Sequence, residues 1–323
     1  MKTLEQIQEF YESELKPSLA TMEQERQKMI SKAMIVAGII GVVGLVGGLL
    51  ITQIGVYNGV LLLIVPGICI AIGVGAFSAA NKNYKTRYKS RIIHKLITFA
   101  EPGLEYWPEG GISKEVFTGS KIFTHSIDRY RCEDLVRGKV DKTEIMFSEI
   151  HAEYKTTSGT GKERHTEWHT IFKGLFVVAD FNKHFRGRTV VLPDTAQKTF
   201  GLFGQTLQSW NPSRDELIRL EDVEFEKEFV VYGTDQVESR YILSPALMER
   251  ILEFRRRLRN GLYLSFVGSK VHVAIPLDTN LFEPKTFSSA VGFESIKEYY
   301  NQLRFGLAIV DELNLNTRIW TKE

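Results

Sequence analysis

The densest set of metal-capable side chains in the sequence is His165-Thr166-Glu167-Trp168-His169. The zincin pattern H-E-x-x-H works on a helix, where its two imidazoles lie one turn apart. Here the pattern is H-x-E-x-H, following a glycine-bearing loop and preceding an apolar strand-like run. On a strand, His165, Glu167 and His169 share one face. Two imidazoles and a carboxylate suit zinc or iron, with His151 or His184 as further donors. The plainer alternative is a polar, solvent-facing strand with Trp168 turned toward the core. A second cluster, Arg255-Arg256-Arg257 with Arg259, ends a helical pattern, where cations complement the helix dipole. Contact with anionic lipid or an acidic partner protein is its alternative.

No nucleophile elbow, phosphate loop or dinucleotide fingerprint occurs, and GLFG (201–204) has too few glycines and no following Lys-Ser/Thr. Asp128, Glu133, Asp134 and Glu149 are scattered and read as solvating carboxylates. No catalytic residue and no cofactor are expected. The net charge of +2 and the lack of a binding motif argue against nucleic acid.

These side chains must be held by a chain whose charge is divided unevenly. Of 323 residues, 25% are charged, yet Ala33 to Asn81 contains no Asp, Glu, Lys or Arg. As one helix this window of about 49 residues would run about 73 Å, against about 30 Å of hydrocarbon. The length predicts two spans, residues 33–52 and 56–80, with Gln53, Tyr57 and Asn58 at the turn. Arg26, Lys28 and Lys32 precede the first span; Lys82, Lys85, Arg87, Lys89, Arg91 and Lys95 follow the second. Basic flanks on both sides put both termini in the cytoplasm, as expected of a multi-pass membrane protein with an even number of spans. No ionisable group lies within the spans, so a transporter or pump is not expected. Gly44 and Gly48, and the pairs Ala37–Gly41 and Ala71–Gly75, let helices approach closely. They serve the hairpin itself or a homo-oligomer. The two cysteines, Cys69 and Cys132, fall inside and outside the window and are expected to be free thiols.

Four regions follow: an arm over 1–32, the transmembrane hairpin over 33–81, a basic juxtamembrane helix over 82–100 and a cytoplasmic domain over 101–323. In the arm, Leu4, Ile7, Phe10, Tyr11 and Leu15 have helical spacing, which Pro17 should interrupt. Its glutamates favour packing on protein over anionic lipid. The six cations after the second span form an interfacial collar, either as plain topology signals or as a lipid-recognition surface. Farther on, Ile145–Ile150, His169–Phe181 around Gly174, and Arg188–Leu192 read as strands of an antiparallel meander. Phe229–Tyr232 is a short strand ended by Gly233. Ser244-Pro245 starts a helix carrying Leu247, Met248, Ile251, Leu252 and Leu258, which Gly261 ends. Residues 262–266 and 270–275 form a hairpin at Gly268, and a last helix covers 295–315. The fold class is α+β, a transmembrane hairpin followed by a mainly antiparallel sheet with packed helices.

The segments FSEIHAEY (147–154), FKGLFVVADFNKHFRGRTVVLPD (172–194), FEKEFVVYGTDQVESRYILSPALMERILEFR (225–255) and LYLSFVGSKVHVAI (262–275) resemble the bacterial family called domain of unknown function 3137. The resemblance implies a bacterial membrane protein with two N-terminal spans. It brings no activity, cofactor or catalytic residue. The function expected is therefore a membrane-tethered module that binds a cytoplasmic or membrane protein. A metal-dependent hydrolase on His165, Glu167 and His169, or an anionic-lipid sensor, are the alternatives.

Overall fold

A computed structural model describes residues 1–53, 59–159, 165–181, 183–194 and 215–315, with backbone alone at 45, 48–53 and 59–66. Tyr57 and Asn58 of the expected turn and the GLFG stretch lie outside these residues. The chain forms two compact units, Met1–Leu96 with Phe282–Glu298, and Ile97–Leu281 with Tyr299–Glu323.

The first unit begins with helix α1 (Leu4–Phe10), capped by Thr3 and Gln6 in a reciprocal box. A π-helical turn (Tyr11–Leu15) leads into α2 (Lys16–Gln53). Pro17 does not break the helix, contrary to expectation. It sits in the first turn of α2, where a missing N–H is tolerated. The wide turn before it, closed by Lys16 N–H on Tyr11 O, takes up the irregularity. Ile7, Tyr11, Leu15, Leu19 and Met22 are buried on one stripe. Tyr11 donates to Val291 O at 2.8 Å and its ring meets Phe293 at 5.4 Å. The amphipathic arm thus packs on the segment 282–298. Helix α3 (Gly59–Tyr88) continues through a π turn (Lys89–Ile93) into α4 (His94–Ala100). A Cβ on Gly73 of α3 would stand 2.9 Å from Ile40 Cδ1 of α2, so the two helices meet there. Among the described residues, one helical stretch, Leu4–Gly44, is long and apolar enough to cross a membrane. The second expected span begins outside the described residues.

The second unit is built on a nine-stranded antiparallel sheet, so the α+β class holds. Its strands are β1 (Leu104–Trp107), β2 (Arg129–Val140), β3 (Thr143–Ser158), β4 (His165–Asp180), β5 (Arg188–Pro193), β6 (Glu216–Ile218), β7 (Phe229–Gly233), β8 (Tyr263–Val267) and β9 (Lys270–Pro276). Their order is β1-β2-β3-β4-β9-β8-β5-β7-β6. The expected meander is therefore interrupted. β1 to β4 follow one another, but the β8–β9 hairpin inserts between β4 and β5. Gly174 permits this: at φ +151 its missing Cβ would lie 2.2 Å from Ile275 O of β9.

Alternation with solvent is lost in the middle strands. Phe147 to Ile150 and Leu175 to Val178 are buried without interruption because both faces are covered. On one face Phe117 of α5 (Lys114–Gly119) packs within 6 Å of Phe123, Tyr130, Phe172 and Phe176, ring to ring. On the other, Gly306 of α9 (Phe293–Glu312) lies over the ring of Phe147. Helices α6 (Val223–Glu228), α7 (Gln236–Ile242) and α8 (Pro245–Arg257) complete the unit. Ser244 caps α8, and Leu247, Met248, Ile251 and Leu252 are buried as expected. The helix stops at Arg257, short of Gly261, and Leu258 is its C-cap rather than part of the buried face. Both cysteines are free thiols.

Candidate functional site

The pairing of β2 with β3 ends at Arg129–Glu153, and that of β4 with β9 ends at Gly174–Pro276. Beyond those points, among the described residues, 154–158 and 165–170 pair as strands with each other alone, as a two-stranded arm whose Lys155 N–H also donates to Asp128 Oδ2 at 2.8 Å. Ile171 is the extra residue of a bulge at the root of the arm, where Ala152 opposes Phe172 and Glu153 opposes Thr170. Bulges bend and twist a ribbon and re-aim its side chains.

One face of the arm carries the three sequence-predicted metal ligands. Opposed pairs Tyr154–His169, Thr156–Glu167 and Ser158–His165 follow one another along it. His169 is half-buried, with its Nε2 2.8 Å from Thr156 Oγ1 and its ring stacked on Tyr154 at 4.9 Å. His125, from the loop before β2, also stacks on Tyr154, at 4.5 Å. Burial pushes the His125 imidazole below its usual range, which favours its neutral form. His165 and Glu167 are exposed. The strand keeps the three ligands on one face yet spreads them: His165 and His169 are about 13 Å apart along it. Their donor atoms do not gather within 4.8 Å of one another. His184 is exposed in the loop before β5, and His151 lies on the opposite face of the ribbon.

That opposite face is a different cluster, which the sequence did not disclose. Trp168 is 41% exposed rather than turned to the core, and the Arg129 guanidinium lies 3.7 Å over its ring. Arg129 and Arg131 each donate to Glu153 at 3.2 Å, and His151 Nε2 is 3.7 Å from the same carboxylate. Burial works to raise the Glu153 pKa, but His151 and the two guanidiniums outweigh it and the net shift is downward. Burial lowers the His151 pKa, so that imidazole is mainly neutral near pH 7. This face thus presents a partly exposed aromatic ring under a guanidinium, beside a carboxylate held by two arginines.

The cations expected to form a collar over residues 82–95 are largely engaged. Lys85 and Lys89 both pair with Glu283, and Lys89 is buried. Burial alone would raise the Glu283 pKa; Lys89 and Lys85 bring it below its ordinary value. Arg87 and Arg91 reach Glu25 at 3.0 and 3.3 Å. Lys95 donates to Ser18 Oγ at 3.5 Å, and Lys82 is exposed. In the other basic cluster, Arg255 donates to Leu258 O and Asn260 O at 3.2 Å, closing the end of α8, and Arg257 pairs with Glu312. Two of these arginines are thus tied into the fold at a helix terminus.

Among known proteins, no curated sequence matches the chain. The crystal structure of the mycobacterial trehalose monomycolate transport factor A, TtfA, aligns over 65% of this chain and 92% of its own. Identity is 9% and the TM-score 0.34, a likeness that carries no argument about this protein. A family model described as "Protein of unknown function (DUF3137)" matches residues 170–315. That stretch runs from the root of the arm through β4, the inserted β8–β9 hairpin and α9, and it identifies this part of the chain as a DUF3137 domain.

Proposed function

We propose that this chain is a multi-pass protein of the bacterial inner membrane that docks a protein partner through the β3–β4 arm. In this reading α2 and α3 are a transmembrane hairpin with both termini in the cytoplasm. The carrying observation is the exposure of apolar side chains on the uncharged helices away from where the two meet. Ile35, Ile39 and Val42 of α2 are 61%, 58% and 61% exposed; Ile70, Ile72 and Val74 of α3 are 55%, 67% and 63% exposed. Water would oppose such a surface and hydrocarbon would not. Basic residues at the outer ends of both helices support the orientation. The arm supports the docking role: it extends beyond its neighbouring strands and offers Trp168, an aromatic of the kind that anchors interfaces.

A photo-crosslinking amino acid placed at Thr166 of the full chain, in its native membrane, tests the docking role. A discrete crosslinked species should form there and not from Val237, which is 78% exposed on α7. Trp168→Ala should abolish the species while lowering stability by no more than about 1 kcal/mol. Equal crosslinking from both positions, or indifference to Trp168→Ala, refutes docking through the arm. Reporter fusions at the two termini test the hairpin; opposite compartments would refute it.

A further inference from the structure

The first unit holds a groove of about 1090 Å³ bordered by α2 and α3. Its floor is apolar and built largely of small residues: Ala33, Ala37 and Ile40 from α2, and Gly73, Ala76 and Phe77 from α3. Toward the N-terminal end of α2 the lining becomes charged, with Lys28, Lys32, Arg87, Arg91 and Glu25. Glu25 is shared by the two arginines. Lys28 and Lys32, one helical turn apart and exposed, have no carboxylate partner among the described residues. Four cations against one carboxylate leave this mouth strongly positive. Phe287, 79% exposed, stacks on Phe77 with centroids 6.0 Å apart and adds an uncovered aromatic surface.

We propose that this groove is a binding site for one anionic glycerophospholipid. Its phosphodiester lies at Lys28 and Lys32, and one acyl chain runs along the floor. The inference rests on the membrane reading of α2 and α3. Dimensions and polarity both fit that occupant. From Lys32 to Ile40 the helix rises about 12 Å, within the roughly 15 Å of a single leaflet's hydrocarbon. The charge change at Lys32 coincides with the start of the uncharged window, where a headgroup gives way to its chains. A neutral zwitterionic lipid could fill the floor but would leave the excess cations of the mouth uncompensated. The site also gives the juxtamembrane arginines a role beyond topology, since Glu25 holds both at its edge.

Native mass spectrometry of the full chain in detergent, titrated with phosphatidylglycerol or phosphatidylcholine, provides the test. The wild type should retain one phosphatidylglycerol and discriminate against phosphatidylcholine. The double variant Lys28→Gln/Lys32→Gln should weaken phosphatidylglycerol retention about thirtyfold, from the usual worth of two surface cations. Ala37→Phe, which fills the floor, should weaken both lipids, and Lys82→Gln, outside the groove, should change neither. Equal retention of the two lipids, or retention unmoved by the lysine and Ala37 variants, overturns the proposal. Release of the wild-type chain from membranes by alkaline carbonate would instead overturn the membrane reading itself.

Discussion

Two glycines with positive φ allow the inserted hairpin to be tested by a pair of single substitutions. Gly174→Ala places a Cβ 2.2 Å from Ile275 O, 2.7 Å from Leu277 N and 2.8 Å from Pro276 Cα. All three are backbone atoms, so no side chain can rotate away. The strained dihedral costs about 1–3 kcal/mol. Moving the end of β9 away forfeits about two hydrogen bonds, including Leu277 N–H to Lys173 O, at about 1 kcal/mol each. The expected loss is about 3–5 kcal/mol. Gly268→Ala in the β8–β9 turn is the control: φ is +64, but nothing lies within 4 Å of the added Cβ. Its cost is the left-handed backbone alone, about 1 kcal/mol. For a domain of this size 1 kcal/mol corresponds to about 2–4 °C. Gly174→Ala should therefore lower the melting temperature by about 10 °C and Gly268→Ala by about 3 °C. All four tryptophans fall within residues 97–281 and 299–323, so tryptophan fluorescence of the detergent-solubilised chain reports on the unit in question. Equal shifts would mean that Gly174 is not pressed against β9, and the strand order would be wrong.

Two further outcomes follow from buried charge. His272 is buried and its pKa is pushed down to about 4, chiefly by desolvation. The unfolded chain takes up that proton near pH 6.5, so stability is full above that value and falls as the pH drops toward 4. The loss should reach about 3 kcal/mol, and His272→Gln should flatten that part of the pH–stability curve; an unchanged slope in the variant would refute the assignment. In the first unit, Glu283→Gln removes the shared carboxylate of Lys85 and the buried Lys89. Local stability should fall by about 3 kcal/mol, seen as faster hydrogen exchange over 282–298. Exchange at the wild-type rate would show that the ion pairs do not hold that segment.

The sequence alone determined features set by local or compositional physics. The first part of the uncharged window shows as a long apolar helix whatever surrounds it. Ser244-Pro245 starts α8 because a cap and a first-turn proline act within four residues. Gly268 turns its hairpin because only its own backbone matters. The placement of β8–β9 between β4 and β5 was not legible, since pairing across about 100 residues leaves no local period. Residues 101–144 gave no readable element, yet they hold β1, β2 and α5. Nor did any local pattern show that 282–298 folds with the N-terminal helices through Glu283, Thr286 and Val291. At the candidate site, strand periodicity put His165, Glu167 and His169 on one face. Only the tertiary structure showed their spread, the His125–Tyr154–His169 stack, and Trp168 under Arg129 on the reverse face. Alternation assigns a side chain to a face; which neighbour covers that face depends on strands and loops remote in the chain.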